Sequence, residues 1–140
     1  MESHAAVVNV VARDLEEVSG LPLSSFGILL RLARTPGRRL RMTELAAQAA
    51  LSTSGLTRLV DRLEEAGYLR RDPSSSDRRS SLAVLTDLGA EAVAKALPNH
   101  LESLERNLAA PLGPEAILQL TAMLATLRDC ARQRLRPGLT

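Results

Sequence analysis

Apolar residues recur at helical spacing near the start of the chain. Five of them lie on one face of a predicted amphipathic helix: Val7, Val8, Val11, Leu15 and Val18. Gly20 ends this helix. Ser24 is then expected to cap a second helix, which carries Phe26 and ends at residues 35–37, Thr-Pro-Gly.

Two short helices are predicted in the middle of the chain. Residues 40–42 form an extended link, and Thr43 is expected to cap a helix over residues 44–50. Ser52 caps the next helix, whose glycine stop is Gly67. The buried stripe of this helix is Leu56, Leu59, Val60 and Leu63.

Two strands are expected next, over residues 68–71 and 81–86, joined by a segment rich in serine and arginine. Pro73 and the serines after it supply turn residues for a connection longer than a tight hairpin. Two short helices followed by such a hairpin are the pattern of a winged helix-turn-helix.

Apolar stripes return in the last third of the chain. Thr86 is expected to cap a helix in which Pro98 should cause a kink or a split near Leu97. Gly113-Pro114 starts the last helix, with proline at the favoured first position. The two stripes consist of Leu97, Leu101, Leu104 and Leu108, and then of Ile117, Leu120, Leu124, Leu127 and Ala131.

The predicted fold class is therefore mostly α (α+β), a winged helix-turn-helix with N- and C-terminal dimerisation helices. Residues 21–86 form the DNA-binding domain in this interpretation, and residues 1–20 and 87–140 form the helical dimerisation region. One small core cannot cover all the apolar stripes, which favours pairing with a second copy of the chain.

Composition supports a helical core and shows an uneven charge. Hydrophobic residues make up 45% of the 140 residues but aromatics only 1%, so leucine, alanine and valine must fill the interior. Residues 31–80 hold 11 of the 18 basic residues and 6 of the 16 acidic ones, although the whole chain has a net charge of only +2. A basic middle suggests a surface that meets a polyanion.

No apolar run approaches the roughly 18 residues that a membrane helix needs, so no membrane partner is expected. The N-terminus lacks a basic leader with a long apolar core and is not expected to be a signal peptide. One cysteine, Cys130, excludes an intrachain disulfide, and the expected location is cytoplasmic.

Two motifs then carry a family resemblance. Residues 56–71, LTRLVDRLEEAGYLRR, and residues 77–89, DRRSSLAVLTDLG, resemble the MarR family of bacterial transcriptional regulators over nearly the whole chain. The wing signature of that family, Asp-x-Arg before a strand ending in Leu-Thr-x-x-Gly, is filled by Asp77, Arg79, Leu85, Thr86 and Gly89. The resemblance implies a homodimer on a pseudo-palindromic double-stranded DNA operator. It also implies release by a small molecule or an oxidant.

The helix over residues 52–66 is the candidate recognition helix for the major groove, where base edges can be distinguished. Its candidate DNA contacts are Thr53, Ser54, Thr57, Arg58 and Arg62. Arg58 can bind guanine in bidentate fashion, whereas Arg62 is expected to meet the DNA backbone or Asp77. The alternative is a solvated helix face on which Arg58, Asp61 and Arg62 pair with one another.

The wing, residues 72–80, is expected to enter the minor groove, where arginine is attracted by enhanced negative potential. Arg78 and Arg79 are the candidates, and the sequence leaves open which of them inserts. The resemblance implies that Asp77 holds an arginine in place, so Arg79 is equally well interpreted as a structural ion-pair partner.

Other candidate sites are less specific. The resemblance places an effector pocket between the DNA-binding lobe and the dimer helices, with candidate lining Leu15, Val18, Phe26, Leu30 and His100. The scarcity of aromatics disfavours a ligand held by ring stacking but permits a small apolar phenol. Neither His4 nor His100 has a companion at ligand spacing, so no metal or cofactor is expected.

The leading hypothesis is a dimeric, sequence-specific DNA-binding regulator, a repressor released by a small molecule. The alternatives are a redox sensor, a helical interaction protein and an enzyme. A redox sensor would use Cys130, although a lone cysteine on a packed helix is more often a small buried hydrophobe. A helical interaction protein without DNA binding would leave the arginines of the wing unexplained. An enzyme is not expected, because the sequence has no phosphate loop, no metal-ligand pair and no nucleophile beside a base.

Overall fold

A computed structural model describes residues 2–73 and 81–135. In chain order the elements are α1 (Glu2–Ser19), α2 (Leu23–Ala33), β1 (Arg39–Arg41), α3 (Met42–Ala49), α4 (Thr53–Glu65), β2 (Leu69–Pro73), β3 (Ser81–Leu85), α5 (Asp87–Leu104) and α6 (Ala110–Leu135). A 3-10 turn over Pro36–Arg38 precedes β1, and a π-helical turn over Glu105–Ala109 joins α5 to α6. The predicted mostly helical winged fold is confirmed.

The core is centred on α2, which packs against α1, α3, β3 and α5. Phe26 is its one large aromatic side chain and is 1% exposed. The predicted stripe of α4 is confirmed, because all four of its members are buried within this core. The core therefore fixes which side of α4 remains available to solvent.

The sheet has three antiparallel strands in the order β1-β3-β2, one more than the sequence predicted. The strand that the sequence did not predict is β1, because residues 40–42 were expected to form only an extended link. Leu40 of β1 pairs with Ala83 of β3. Three residues carry too little alternation to identify a strand. β1 covers one edge of β3, so β3 is the central strand of the wing.

The helix caps were predicted with mixed success. Ser52 accepts a hydrogen bond from the backbone N–H of Gly55 at 3.1 Å, and Thr86 accepts one from that of Gly89 at 3.1 Å, as expected. The caps assigned to Ser24 and Thr43 are wrong, because α2 begins at Leu23 and α3 at Met42, so that both residues lie inside helices.

The two helix breakers of the C-terminal third behave differently. The helix α5 is not split at Pro98 but continues to Leu104. Pro98 and Ala94, the residue four positions before it, are both exposed, so water can bond the carbonyl that proline leaves without a partner. Gly113 does break helical geometry, with φ 77° and ψ 163°, and Pro114 follows as the predicted first residue of the last helical segment.

The last helix and parts of α1 and α5 leave large apolar side chains uncovered. Leu118 is 72% exposed, Leu127 67% and Val18 60%. The protomer exposes 9944 Å², whereas a compact monomer of its 15.1 kDa mass would expose about 7,100 Å². The predicted C-terminal stripe is therefore not buried within one copy of the chain.

The exposed C-terminal stripe also qualifies the membrane prediction. One stretch, Asp87–Ala131, is long and apolar enough to cross a membrane by length and composition, with mean hydropathy 1.3 in an 18-residue window. The sequence prediction overlooked it because interspersed polar residues interrupt the apolar run. The backbone of this stretch departs from helical geometry at Gly113, and an apolar helix of a soluble protein can pass the same test.

Candidate nucleic-acid interface

The exposed side of α4 holds all five nominated residues: Thr53, Ser54, Thr57, Arg58 and Arg62. They stay exposed because Leu56, Leu59, Val60 and Leu63 rotate the opposite side of the helix into the core. The hydroxyl of Thr57 donates to the carbonyl of Thr53 at 2.8 Å, which leaves its oxygen free only to accept from outside. The helix thus presents hydroxyl and guanidinium groups on one surface.

The two arginines of this surface have no carboxylate within ion-pair distance among the described residues. Asp61, their expected partner on a solvated face, instead lies 2.6 Å from Nη1 of Arg71, on β2. The alternative in which Arg58, Asp61 and Arg62 pair with one another is therefore wrong for this structure. Within the described part of the chain, neither guanidinium group is neutralised, so an external anion can approach both.

The contact between Arg71 and α4 was not predicted. Its Nη1 also lies 2.9 Å from Oε2 of Glu64, and its Nη2 donates to the carbonyl of Thr57 at 3.3 Å. The backbone N–H of Arg71 donates to Oε1 of Glu64 at 2.8 Å. No helical repeat marks this set, because the glycine turn at Gly67 lies between Arg71 and the helix.

The tip of the wing, residues 74–80, lies outside the described residues. β2 and β3 are paired as far as Pro73 and Ser81, which oppose each other in the register. Arg70 forms an ion pair with Asp72 on the same strand. The nominated wing residues Asp77, Arg78 and Arg79 lie outside the described residues, so their roles remain predictions.

The turn that follows α4 is in close contact with the start of α5. Thr86 Oγ1 donates a 2.7 Å hydrogen bond to the carbonyl of Gly67 while it caps α5. A Cβ at Gly89 would lie 2.0 Å from the carbonyl oxygen of Tyr68, so only glycine fits there. This contact gives a physical reason for the Leu-Thr-x-x-Gly pattern, because Thr86 and Gly89 hold the start of α5 against the turn that follows α4.

The turn between α3 and α4 is short and left-handed. Ala50 adopts φ 54° and ψ 38°, and the N–H of Leu51 donates to the carbonyl of Ala46 at 3.1 Å. A cavity of about 350 Å³ lies between α3, α4 and the sheet, with Leu56, Thr57 and Arg71 in its wall. This arrangement is a helix-turn-helix with its second helix facing outward.

The candidate effector residues are only partly brought together. The rings of Phe26 and His100 lie 4.9 Å apart, and Leu15 and Leu30 belong to or pack on the same core. Burial lowers the pKa of His100 below 6.5, and its buried Nδ1 has no hydrogen-bond partner among the residues that the structure describes. Val18 is 60% exposed in this protomer, unlike the buried Leu15 and Phe26.

A second polar cluster, also missed by the sequence, joins α1 to the end of α5. The hydroxyl of Ser103, fully buried, donates to Oδ2 of Asp14 at 2.7 Å, and Nδ2 of Asn107 donates to the same oxygen at 3.2 Å. Arg106 lies 3.9 Å from that carboxylate. The Ser103 hydrogen bond, helped by Arg106, Asn107 and Arg13, holds the pKa of Asp14 below 3.8 against the opposing effect of desolvation.

The remaining candidates are simple to place. Cys130 is exposed in the protomer, so the expectation of a small buried hydrophobe is wrong for one copy of the chain. Within residues 2–73 and 81–135, no group of three or more His, Cys, Asp or Glu side chains is arranged to hold a metal ion.

Comparisons of the sequence with known proteins agree with the winged helix-turn-helix geometry described above. Residues 19–80 match the profile of the MarR family. The chain is 34% identical over 119 residues to the HTH-type transcriptional regulator PecS of Dickeya dadantii, a match that covers 82% of this chain and 71% of PecS.

Solved structures give the same result over more of the chain. Sco3205 of Streptomyces coelicolor, a MarR family transcriptional regulator crystallised in complex with DNA, is 34% identical with a TM-score of 0.85. That match covers 99% of this chain and 85% of Sco3205. AbsC, a MarR family transcriptional regulator from the same organism, is 32% identical with a TM-score of 0.87, covering 94% of this chain and 88% of AbsC.

Proposed function

The chain belongs to the MarR family and is a transcriptional regulator rather than an enzyme; from this premise we propose that it is a homodimeric repressor that binds a pseudo-palindromic operator. The exposed arginines of α4 carry the proposal. Arg58 and Arg62 lie on the surface that a recognition helix turns towards the major groove, and neither is neutralised by a carboxylate among the described residues. Free guanidinium groups in this position suit guanine and phosphate.

Within this proposal, Thr53, Ser54, Thr57 and Arg58 contact bases and nearby phosphates, and Arg62 contacts the backbone. Asp77, Arg78 and Arg79 belong to a wing that enters the minor groove. Residues 21–86 bind DNA, and residues 1–20 and 87–140 form the dimer. The complex of Sco3205 with DNA supports the choice of double-stranded DNA as the partner.

The homodimer is supported by the uncovered apolar faces of α5 and α6. Leu118, Leu124 and Leu127 are all more than half exposed in the protomer. Each such side chain that stays in water lacks about 1.5–3 kcal/mol of the stabilising free energy that full burial would provide. A second copy that buries these faces would also set the recognition helices about one helical turn apart on DNA.

The proposed signal is a small phenolic or apolar molecule bound near Phe26 and His100, between the DNA-binding part and the dimer helices. The ring pair and the unpartnered Nδ1 of His100 support this location. Cysteine-based release through Cys130 is the alternative signal. The expected cellular location is the cytoplasm, where DNA is available.

The decisive experiment measures binding of the full chain to DNA upstream of its own gene by fluorescence anisotropy at increasing salt. We expect specific binding whose affinity falls steeply with salt, because phosphate neutralisation releases counterions. A variant carrying both Arg58→Ala and Arg62→Ala should lose this binding while remaining folded. Wild-type protein that binds no DNA specifically at low salt would sink the proposal.

The same assay separates the two signals. Release by small phenols in both wild type and Cys130→Ser supports a ligand pocket. Release by peroxide in wild type but not in Cys130→Ser supports the redox alternative.

A further inference from the structure

Arg71 holds the two carboxylates of α4 that face the wing. Thr57, Asp61 and Glu64 follow one another at helical spacing along the side of α4 next to β2, and the guanidinium of Arg71 contacts all three. Its side chain is only 27% exposed, whereas Arg70 beside it is 57% exposed and pairs within its own strand. From its position on β2, the guanidinium of Arg71 thus contacts residues on two successive turns of α4.

Asp61 has a possible cationic partner on its own helix and another on β2. It is three residues after Arg58 on the same helix, a spacing at which side chains are neighbours on the surface. In the structure its Oδ1 lies 2.6 Å from Arg71, and Arg58 has no carboxylate partner among the described residues. Of these two arginines, Arg71 is the one that pairs with Asp61 in the structure.

From this geometry we propose that Arg71 is a positioning residue for DNA recognition, which acts by keeping Asp61 away from Arg58. The proposal rests on the function proposed above. Without Arg71, Asp61 turns towards Arg58, and both Asp61 and Glu64 add uncompensated negative charge beside the DNA phosphates. The bond from Arg71 to the Thr57 carbonyl also fixes the rotation of α4 relative to the wing.

The test is a double-mutant cycle on DNA binding, using a duplex selected by the wild-type protein from a random-sequence pool. Arg71→Gln should weaken binding about tenfold at 0.15 M salt, because two carboxylates lose their neutralising charge near phosphate. It should also flatten the preference at the base pair that Arg58 contacts. Asp61→Asn alone should change affinity by less than about threefold.

The double variant decides the mechanism. Adding Asp61→Asn to Arg71→Gln should restore affinity to within about threefold of Asp61→Asn alone, because Asp61 can no longer capture Arg58 and only the uncompensated charge of Glu64 remains. Arg70→Gln is the matched control, since it removes the same charge from the same strand without touching α4. Asp61→Asn should improve Arg70→Gln no more than it improves wild type.

Two outcomes would overturn the proposal. One is independent effects, in which Arg71→Gln with Asp61→Asn stays as weak as Arg71→Gln. The other is a uniform loss over all sequences that matches Arg70→Gln, which would make Arg71 a simple phosphate contact.

Free protein provides a readout that does not depend on DNA. The Nε–H resonance of Arg58 should move in Arg71→Gln and return when Asp61→Asn is added; an unmoved resonance contradicts the proposal. Failure of wild type to select any duplex would count against the proposed function alone. If Arg71→Gln does not fold, Arg71→Lys serves in the same cycle, because one ammonium group cannot span both carboxylates and the Thr57 carbonyl.

Discussion

Ser103 and Asp14 are linked by a 2.7 Å hydrogen bond between two helices that are far apart in sequence. The serine is fully buried, and its hydroxyl is the largest cause of the lowered pKa of Asp14. This bond attaches α1 to the end of α5, next to the π-helical turn.

The first prediction concerns acid stability. Because the pKa of Asp14 is lower in the folded chain than its unfolded value of 3.8, its ionised form stabilises the fold above pH 3.8. That contribution is lost as the pH falls from 3.8 through the folded pKa. Thermal melts of wild type and Ser103→Ala should differ most above pH 4 and converge below it. A constant difference across the pH range would contradict this role.

A second pH dependence should arise from His100. Burial lowers its pKa below 6.5, so the folded chain prefers neutral imidazole. Stability should be full above pH 6.5 and should fall as the pH drops from 6.5 towards the folded pKa, because the unfolded chain binds the proton first. Melts between pH 7.5 and 5.5 should show this slope in wild type and a flatter one in His100→Gln. Equal slopes would assign the effect to other groups.

Arg58→Ala tests base contact directly. If its guanidinium binds guanine in bidentate fashion, the variant should lose about 1–3 kcal/mol of discrimination at one base pair. Competition binding against single-base-pair variants of a selected duplex measures this loss. Uniform weakening of all duplexes would identify Arg58 as a phosphate contact instead.

Gly89→Ala should be strongly destabilising. The new Cβ would lie 2.0 Å from the carbonyl oxygen of Tyr68 and 2.7 Å from Cδ1 of Leu85, and backbone must move to relieve the clash. A loss of about 1–3 kcal/mol or more in unfolding free energy is expected from such overpacking. Gly27→Ala is the control, because its Cβ meets only the flexible end of Arg31 at 3.1 Å. Equal denaturant midpoints for the two variants would refute the close fit.

Leu118→Asp tests the dimer. Its side chain is 72% exposed in the protomer, so the change is harmless to the monomer but would bury a charge in an interface. Sedimentation equilibrium should show a dimer dissociation constant raised at least about tenfold. Leu51→Asp, at an apolar residue that is 38% exposed in the turn between α3 and α4, should leave association unchanged. Unaltered association of Leu118→Asp would move the interface elsewhere.

Local patterns predicted the fold where one residue decides a local geometry. Ser52 and Thr86 cap their helices, and Gly67 adopts the positive φ of 76° expected of a helix stop. Ser24 misled because Pro22 precedes it and already fixes the extended backbone from which α2 starts. Pro98 misled because an exposed helix can tolerate a missing hydrogen bond.

The site was only half predictable for a related reason. Exposure of Arg58 follows from the position of the apolar stripe, which the sequence displays. The pairing of Asp61 with Arg71 depends on how β2 returns along α4 after Gly67, and no repeat in the sequence encodes that path. Sequence spacing alone offered Arg58 and Arg62 as alternative partners of Asp61.

The junction at Thr86 gives α5 the properties of a lever. Its 18 residues extend about 27 Å from a fulcrum where one threonine both caps α5 and bonds the last turn before the wing. A tilt of about 5° at this fulcrum moves the far end of α5 by about 2 Å. In the proposed dimer, a small displacement at the far end of α5 would therefore reach the contact between Thr86 and Gly67 as a rotation.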